Sequence, residues 1–162
     1  MNSRRRSTIA LRIFLGVAAL ATLLPACSRR SESGPEAVAY DRDACERCRM
    51  LISDPRFAAE VRLPGEGRVH KFDDLGDALA WLAERPPRVT PPGRKDAGTE
   101  IWVRDADQDR WLDATRASYS RGAKTPMNFG FAAHEKPAPG RLDFDQVRAE
   151  VGRIAEERRS GR

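Results

Sequence analysis

The chain has 162 residues, with 29 Lys and Arg against 24 Asp and Glu and a formal net charge of +5. Residues 1–26 hold four of the arginines and no acid, so residues 27–162 carry 25 basic against 24 acidic side chains, a net of +1. So even a mixture lacks the one-sided basic footprint that phosphate recognition needs, which excludes nucleic acid as a partner, and three cysteines are too few for a disulfide-built scaffold.

Arg4, Arg5, Arg6 and Arg12 precede an apolar run from Ile13 to Leu24. About a dozen apolar residues suit the core of an export signal and fall short of a transmembrane helix. Leu24-Pro25-Ala26-Cys27 resembles the lipobox of bacterial lipoproteins, which implies cleavage before Cys27 and a diacylglycerol on its thiol. Ser28 resembles the outer-membrane sorting pattern, so the expected location is periplasm-facing, lipid-anchored to the outer membrane. Residues 1–26 are then the signal peptide, 27–39 a lipidated tether, and 40–158 one compact unit of about 120 residues.

Within that unit, Phe57 to Leu63 and Arg68 to Phe72 flank Pro64-Gly65-Glu66-Gly67 and predict a hairpin. Asp73 or Asp74 offers an N-cap to a helix carrying Leu75, Ala78, Leu79 and Leu82 on one face, which Pro86-Pro87 stops by Arg85. Arg88 to Gly98 is an expected exposed loop. Glu100 to Arg104 predicts a strand, Asp105 to Asp109 an acidic turn, and Arg110 to Asp113 the returning strand. Thr115 to Thr125 follows no clear pattern. Met127 to Ala133 predicts a strand with Gly130 allowing a bulge, Pro137 to Gly140 a turn, and Asp145 to Arg158 a helix with Val147, Val151 and Ile154 on one face. Phe72-Asp73-Asp74-Leu75 is echoed by Phe144-Asp145-Gln146-Val147, suggesting two related units at about 40–98 and 99–158. The fold class is α+β, with short antiparallel sheets and helices packed on one face.

The chemistry concentrates in Cys45-Glu46-Arg47-Cys48-Arg49-Met50. Two thiols and a thioether are ligands for a soft ion such as Cu(I). Three other readings compete. A thiol-disulfide reductase needs a strand-to-helix setting that lowers a thiol pKa, yet Tyr40 to Ala44 is polar and Ser53-Asp54-Pro55 ends any helix early. Structural zinc needs four ligands, and His70 and His134 are far apart in sequence. A structural disulfide across Cys45 and Cys48 closes too small a loop to stabilise much. Met50 is either a ligand or core filling beside Leu51 and Ile52, and Met127, between Pro126 and Asn128, is open to the same two readings. His70 reads as an outward strand position and His134 as a solvated loop end, each able to offer an imidazole.

The block from Tyr40 to Ser53, followed by Lys71-Phe72-Asp73-Asp74-Leu75, Thr125-Pro126-Met127 and Phe131-Ala132-Ala133, resembles the NosL family of accessory lipoproteins for nitrous oxide reductase assembly. The resemblance covers about Tyr40 to Val151. It implies a non-enzymatic Cu(I)-binding protein with two small ββαβ-type units, an arrangement also likened to a domain of organomercurial lyase. It implies delivery of copper to nitrous oxide reductase or its membrane-associated assembly proteins. Cys48 and Met50 match the family motif, with Cys45 as the second thiol and Met127 as the methionine of the later TPM segment; His70 is a further candidate ligand. Arg49 departs from the pattern, standing where the family commonly has Gly.

Overall fold

A computed structural model describes residues 33–85 and 98–161. The expected signal peptide, Cys27, the start of the tether and nearly all of the Arg88 to Gly98 loop lie outside these described residues. The chain order is β1 (Ala59–Arg62), β2 (Val69–Phe72), α1 (Leu75–Ala83), β3 (Glu100–Arg104), β4 (Trp111–Asp113), β5 (Ser118–Arg121), β6 (Phe131–His134) and α2 (Phe144–Ser160). The strands form a four-stranded antiparallel sheet, β2-β1-β3-β4, and a separate antiparallel pair, β5-β6. This is a mixed α+β fold. The stretches 40–98 and 99–158 meet in one sheet, because β1 pairs with β3.

Alternation along β1 and β2 decides which side of the sheet is which. Val61 is opposite His70 and Ala59 opposite Phe72. The His70 and Phe72 rings lie 4.5 and 5.2 Å from the Trp81 ring, so this is the face that α1 covers. His70 is therefore buried rather than outward: it shares the pleat of Phe72, and Lys71 takes the opposite side. On that opposite side, residues 33–39, the end of the expected tether, lie along the polar face of β1. Gly34 N–H donates to Glu100 (2.7 Å), Glu36 N–H to Glu60 (2.8 Å), and Lys71 Nζ to the Ala37 carbonyl (2.6 Å). That cover explains how Glu60 and Arg62 are buried in mid-sheet; burial pushes the Glu60 carboxyl up to about 7.

Asp74 caps α1, its carboxylate accepting from Asp77 N–H at 2.8 Å. Asp143 caps α2 through a capping box with Gln146. The two caps fall at different places in the echoed tetrapeptides: Asp74 is the third residue of the first, and Asp143 precedes the second. α1 and α2 pack on each other, with Val147 and Val151 of α2 buried. Two assignments differ from expectation. Ser118–Arg121, in the stretch without clear pattern, is a strand that pairs with β6. The strand expected from Met127 begins only at Phe131, because Asn128 (φ +55°) and Gly130 (φ +84°) take left-handed conformations that interrupt the extended backbone.

Gly76, in the first turn of α1, lies against Phe129, and a Cβ there would overlap the ring. Gly76→Ala, which in an exposed helix stabilises by about 1 kcal/mol, is expected here to destabilise by about 1–3 kcal/mol through overpacking. Chemical denaturation of the two proteins checks the sign.

Candidate metal centre

Residues 41–52 form a tight loop closed by backbone hydrogen bonds. Asp41 N–H donates to the Ile52 carbonyl and Ile52 N–H to the Asp43 carbonyl, both at 2.9 Å. Cys45 N–H donates to Met50 O (2.8 Å), and Arg49 N–H to Cys45 O (3.1 Å). Glu46 N–H reaches the Lys71 carbonyl at 2.8 Å, which fastens the loop to the end of β2 just ahead of α1. The loop is thereby held over the amino end of α1, where the chain supplies Asp73, Asp74 and Asp77.

Each thiol meets one carboxylate. Cys45 Sγ–H donates to Asp77 Oδ2 (3.3 Å) and Cys48 Sγ–H to Asp73 Oδ2 (3.2 Å). One ligand atom from each of these four residues lies within 4.8 Å of the others. Both cysteines are free thiols; Cys45 is fully buried and Cys48 half-buried. Arg47, between them in sequence, clamps Asp77 Oδ1 at 2.6 Å and Glu84 at 2.9 Å. Burial pushes the Cys48 thiol up to about 11 and Cys45 further still, and it raises the Asp73 carboxyl. A redox-active CxxC requires the reverse, a thiol shifted toward thiolate. Thiols bonded to carboxylates suit metal capture, in which the metal displaces the proton and a neighbouring base accepts it.

The group could hold a metal ion: two sulfurs converge with two carboxylates, and Asp73 Oδ1 is buried without a hydrogen-bond partner. The two methionines sit differently. Met50 follows the thiols on the loop surface with its side chain about half exposed. Met127 is half-buried; its N–H donates to Asp74 Oδ2 (3.2 Å), which ties the 125–128 turn to the same end of α1. Met127 and Arg47 line one cavity of about 470 Å³.

His70 is not in the cysteine group. Its Nε2 lies 2.5 Å from Glu66 and its Nδ1 3.6 Å from Glu46, with the ring on Trp81. His134 is also not the solvated loop end expected: it is buried in β6, with Nδ1 2.7 Å from Asp107 and Nε2 3.0 Å from Ser120 Oγ. With Asp105 and Asp107 it forms a second cluster of groups able to ligate a metal. Sequence reasoning took Asp73 or Asp74 only as a cap and did not weigh Asp77, so it missed Asp73 and Asp77 as neighbours of the thiols. The signal was two further acids flanking the cap, Asp73 just before Asp74 and Asp77 in the first turn of α1.

The family model described as NosL matches residues 37–135. No curated protein matches the chain. The match spans both cysteines, the Asp73-Asp74 corner and Met127; NosL is a copper-binding family, and the Cys/Asp group here could hold a metal. Arg49, where the resemblance expects Gly, has φ +67°. That left-handed conformation is free for glycine and costs other residues on the order of 1 kcal/mol. Arg49→Gly is expected to stabilise the fold by about 0.5–1 kcal/mol, read as a raised denaturation midpoint; a lowered midpoint would mean the arginine supports the loop by contacts that outweigh the strain. Matched by that family model over residues 37–135, more than half of its length, the chain belongs to the NosL family.

Proposed function

We propose that this protein is an exported lipoprotein that binds Cu(I) through Cys45 and Cys48 and hands it on for maturation of nitrous oxide reductase. The observation that carries the reading is the pair of free thiols, each bonded to a carboxylate, with Cys48 half open to solvent. Cu(I) is the cargo. The two sulfurs supply the soft donors, and Met50 or Met127 completes the set. Asp73 and Asp77 take no soft-ligand role; they accept the thiol hydrogen bonds in the apo state, and the protons displaced on loading pass to solvent.

Partial exposure matters for release. An incoming thiolate, thioether or imidazole of an acceptor can approach Cys48 while Cys45 still holds the ion, so exchange proceeds one ligand at a time. The lipid on Cys27 would keep the site facing the periplasm beside a membrane. The acceptor is nitrous oxide reductase or one of its membrane-associated assembly proteins, and no catalytic turnover is required of the chain.

The test is an anaerobic Cu(I) titration of the reduced protein against a competing chelator. Cys48→Ser is expected to weaken binding by at least about tenfold, the scale of losing one metal contact, and Met50→Leu by less. Because the thiols are protonated at neutral pH, with Cys48 near 11, binding must release protons. Affinity should therefore rise with pH, by between about tenfold and a hundredfold per unit between pH 6 and 8, according to how many protons reach solvent. Binding that is flat with pH and indifferent to Cys48→Ser would overturn the copper reading.

A further inference from the structure

Met50 and Leu51 are the large apolar side chains left exposed among the described residues, at 49% and 53%. They follow exposed Arg49 and half-exposed Cys48 directly in the chain. An exposed leucine is ordinary by itself. Met50 and Leu51 are adjacent and follow the half-exposed Cys48 by two and three residues, so they share one short surface segment with the more open thiol of the candidate site.

The charges around this edge are unevenly used. Asp43 pairs with Lys71 (2.7 Å), Glu46 with Arg68 (3.2 Å), and Arg47 with Asp77 and Glu84. The Arg49 guanidinium has no ion pair or side-chain hydrogen bond among the described residues. Its left-handed backbone sits inside the closed loop, where Cys45 N–H bonds Met50 O and Ala44 bridges Leu51. The edge is thus presented on a backbone that is already ordered, so little entropy is lost when it is covered. Two side chains are too little area for a stable dimer and suit a transient encounter, in which the charge speeds approach and the apolar contact sets residence time.

We propose that Arg49, Met50 and Leu51 form the docking edge for a copper-acceptor protein that presents a carboxylate beside an apolar recess. The proposal rests on the delivery reading above and names the chemistry of the receiving partner.

The experiment uses the full-length chain in detergent, loaded with Cu(I), and follows copper transfer to apo nitrous oxide reductase together with its membrane-associated assembly proteins over a range of ionic strength. Leu51→Ser and Arg49→Glu are expected to slow transfer by about tenfold or more, while Arg49→Lys transfers at the wild-type rate. Chelator competition is expected to give Leu51→Ser and Arg49→Lys the wild-type Cu(I) affinity, so the Leu51→Ser loss is one of docking and not of the site. The wild-type rate should fall with salt, and the Arg49→Glu rate should not. Wild-type transfer rates in Leu51→Ser and Arg49→Glu would overturn the docking edge and leave delivery standing. A wild-type protein that binds copper but transfers none would overturn delivery itself. The assigned occupant would be overturned if Leu51→Ser abolished self-association in sedimentation, or binding to phosphatidylglycerol vesicles, while leaving transfer intact.

Discussion

Asp74 commits its two carboxylate oxygens to backbone groups that nothing else would satisfy. Oδ1 accepts from Asp77 N–H and closes the first turn of α1; Oδ2 accepts from Met127 N–H and holds the 125–128 turn against that helix end. A charged acceptor bonded to buried amides contributes about 1.5–3 kcal/mol per bond and lies at the favourable end of the helix dipole. Its larger effect is positional. With the start of α1 fixed at Leu75, Asp73 and Asp77 fall one turn apart beneath the 41–52 loop, and Met127 is brought to the same corner from 53 residues away.

That corner concentrates negative charge where water is scarce. Asp73, Asp74 and Asp77 are all buried, and Arg47 is the cation bonded into the cluster, through Asp77. Such an arrangement keeps both sulfurs protonated: burial disfavours the thiolates, and the neighbouring carboxylates discourage further negative charge. A monovalent cation entering between the sulfurs relieves both conditions. The site therefore rests as a pair of capped thiols, a poor redox couple whose Cys/Asp group could hold a metal ion.

The outline of the fold could be read from the chain because the relevant patterns are local. The β1–β2 hairpin turns at Pro64-Gly65, α1 ends before Pro86-Pro87, and α2 repeats Val147, Val151 and Ile154 on one face. What escaped was set by distant contacts. Ser118–Arg121 becomes a strand only through its pairing with β6, and nothing in Ser-Tyr-Ser-Arg marks it alone. His70 looked outward beside Lys71, but the pleat it shares with Phe72 turns it onto Trp81. At the site, the spacing of Cys45 and Cys48 pointed to a metal-binding group, and the structure gathers both thiols into one that could hold a metal. The carboxylates did not announce themselves, because a cap residue and a thiol neighbour have the same identity in sequence; only the hydrogen bond from Glu46 N–H to Lys71 O, joining loop to strand, sets them against each other. Arg49 stood out in the sequence because the resemblance expects glycine there, and its left-handed φ is a conformation that glycine adopts freely.

The central claim is that the two loop cysteines together hold the metal. X-ray absorption at the copper edge of the Cu(I)-loaded protein measures this most directly, because it counts sulfur neighbours. The account predicts at least two sulfur scatterers in the wild-type protein, and a fall by one in each of Cys45→Ser and Cys48→Ser. A first shell of nitrogen and oxygen alone, or a sulfur count unchanged by both substitutions, would contradict it.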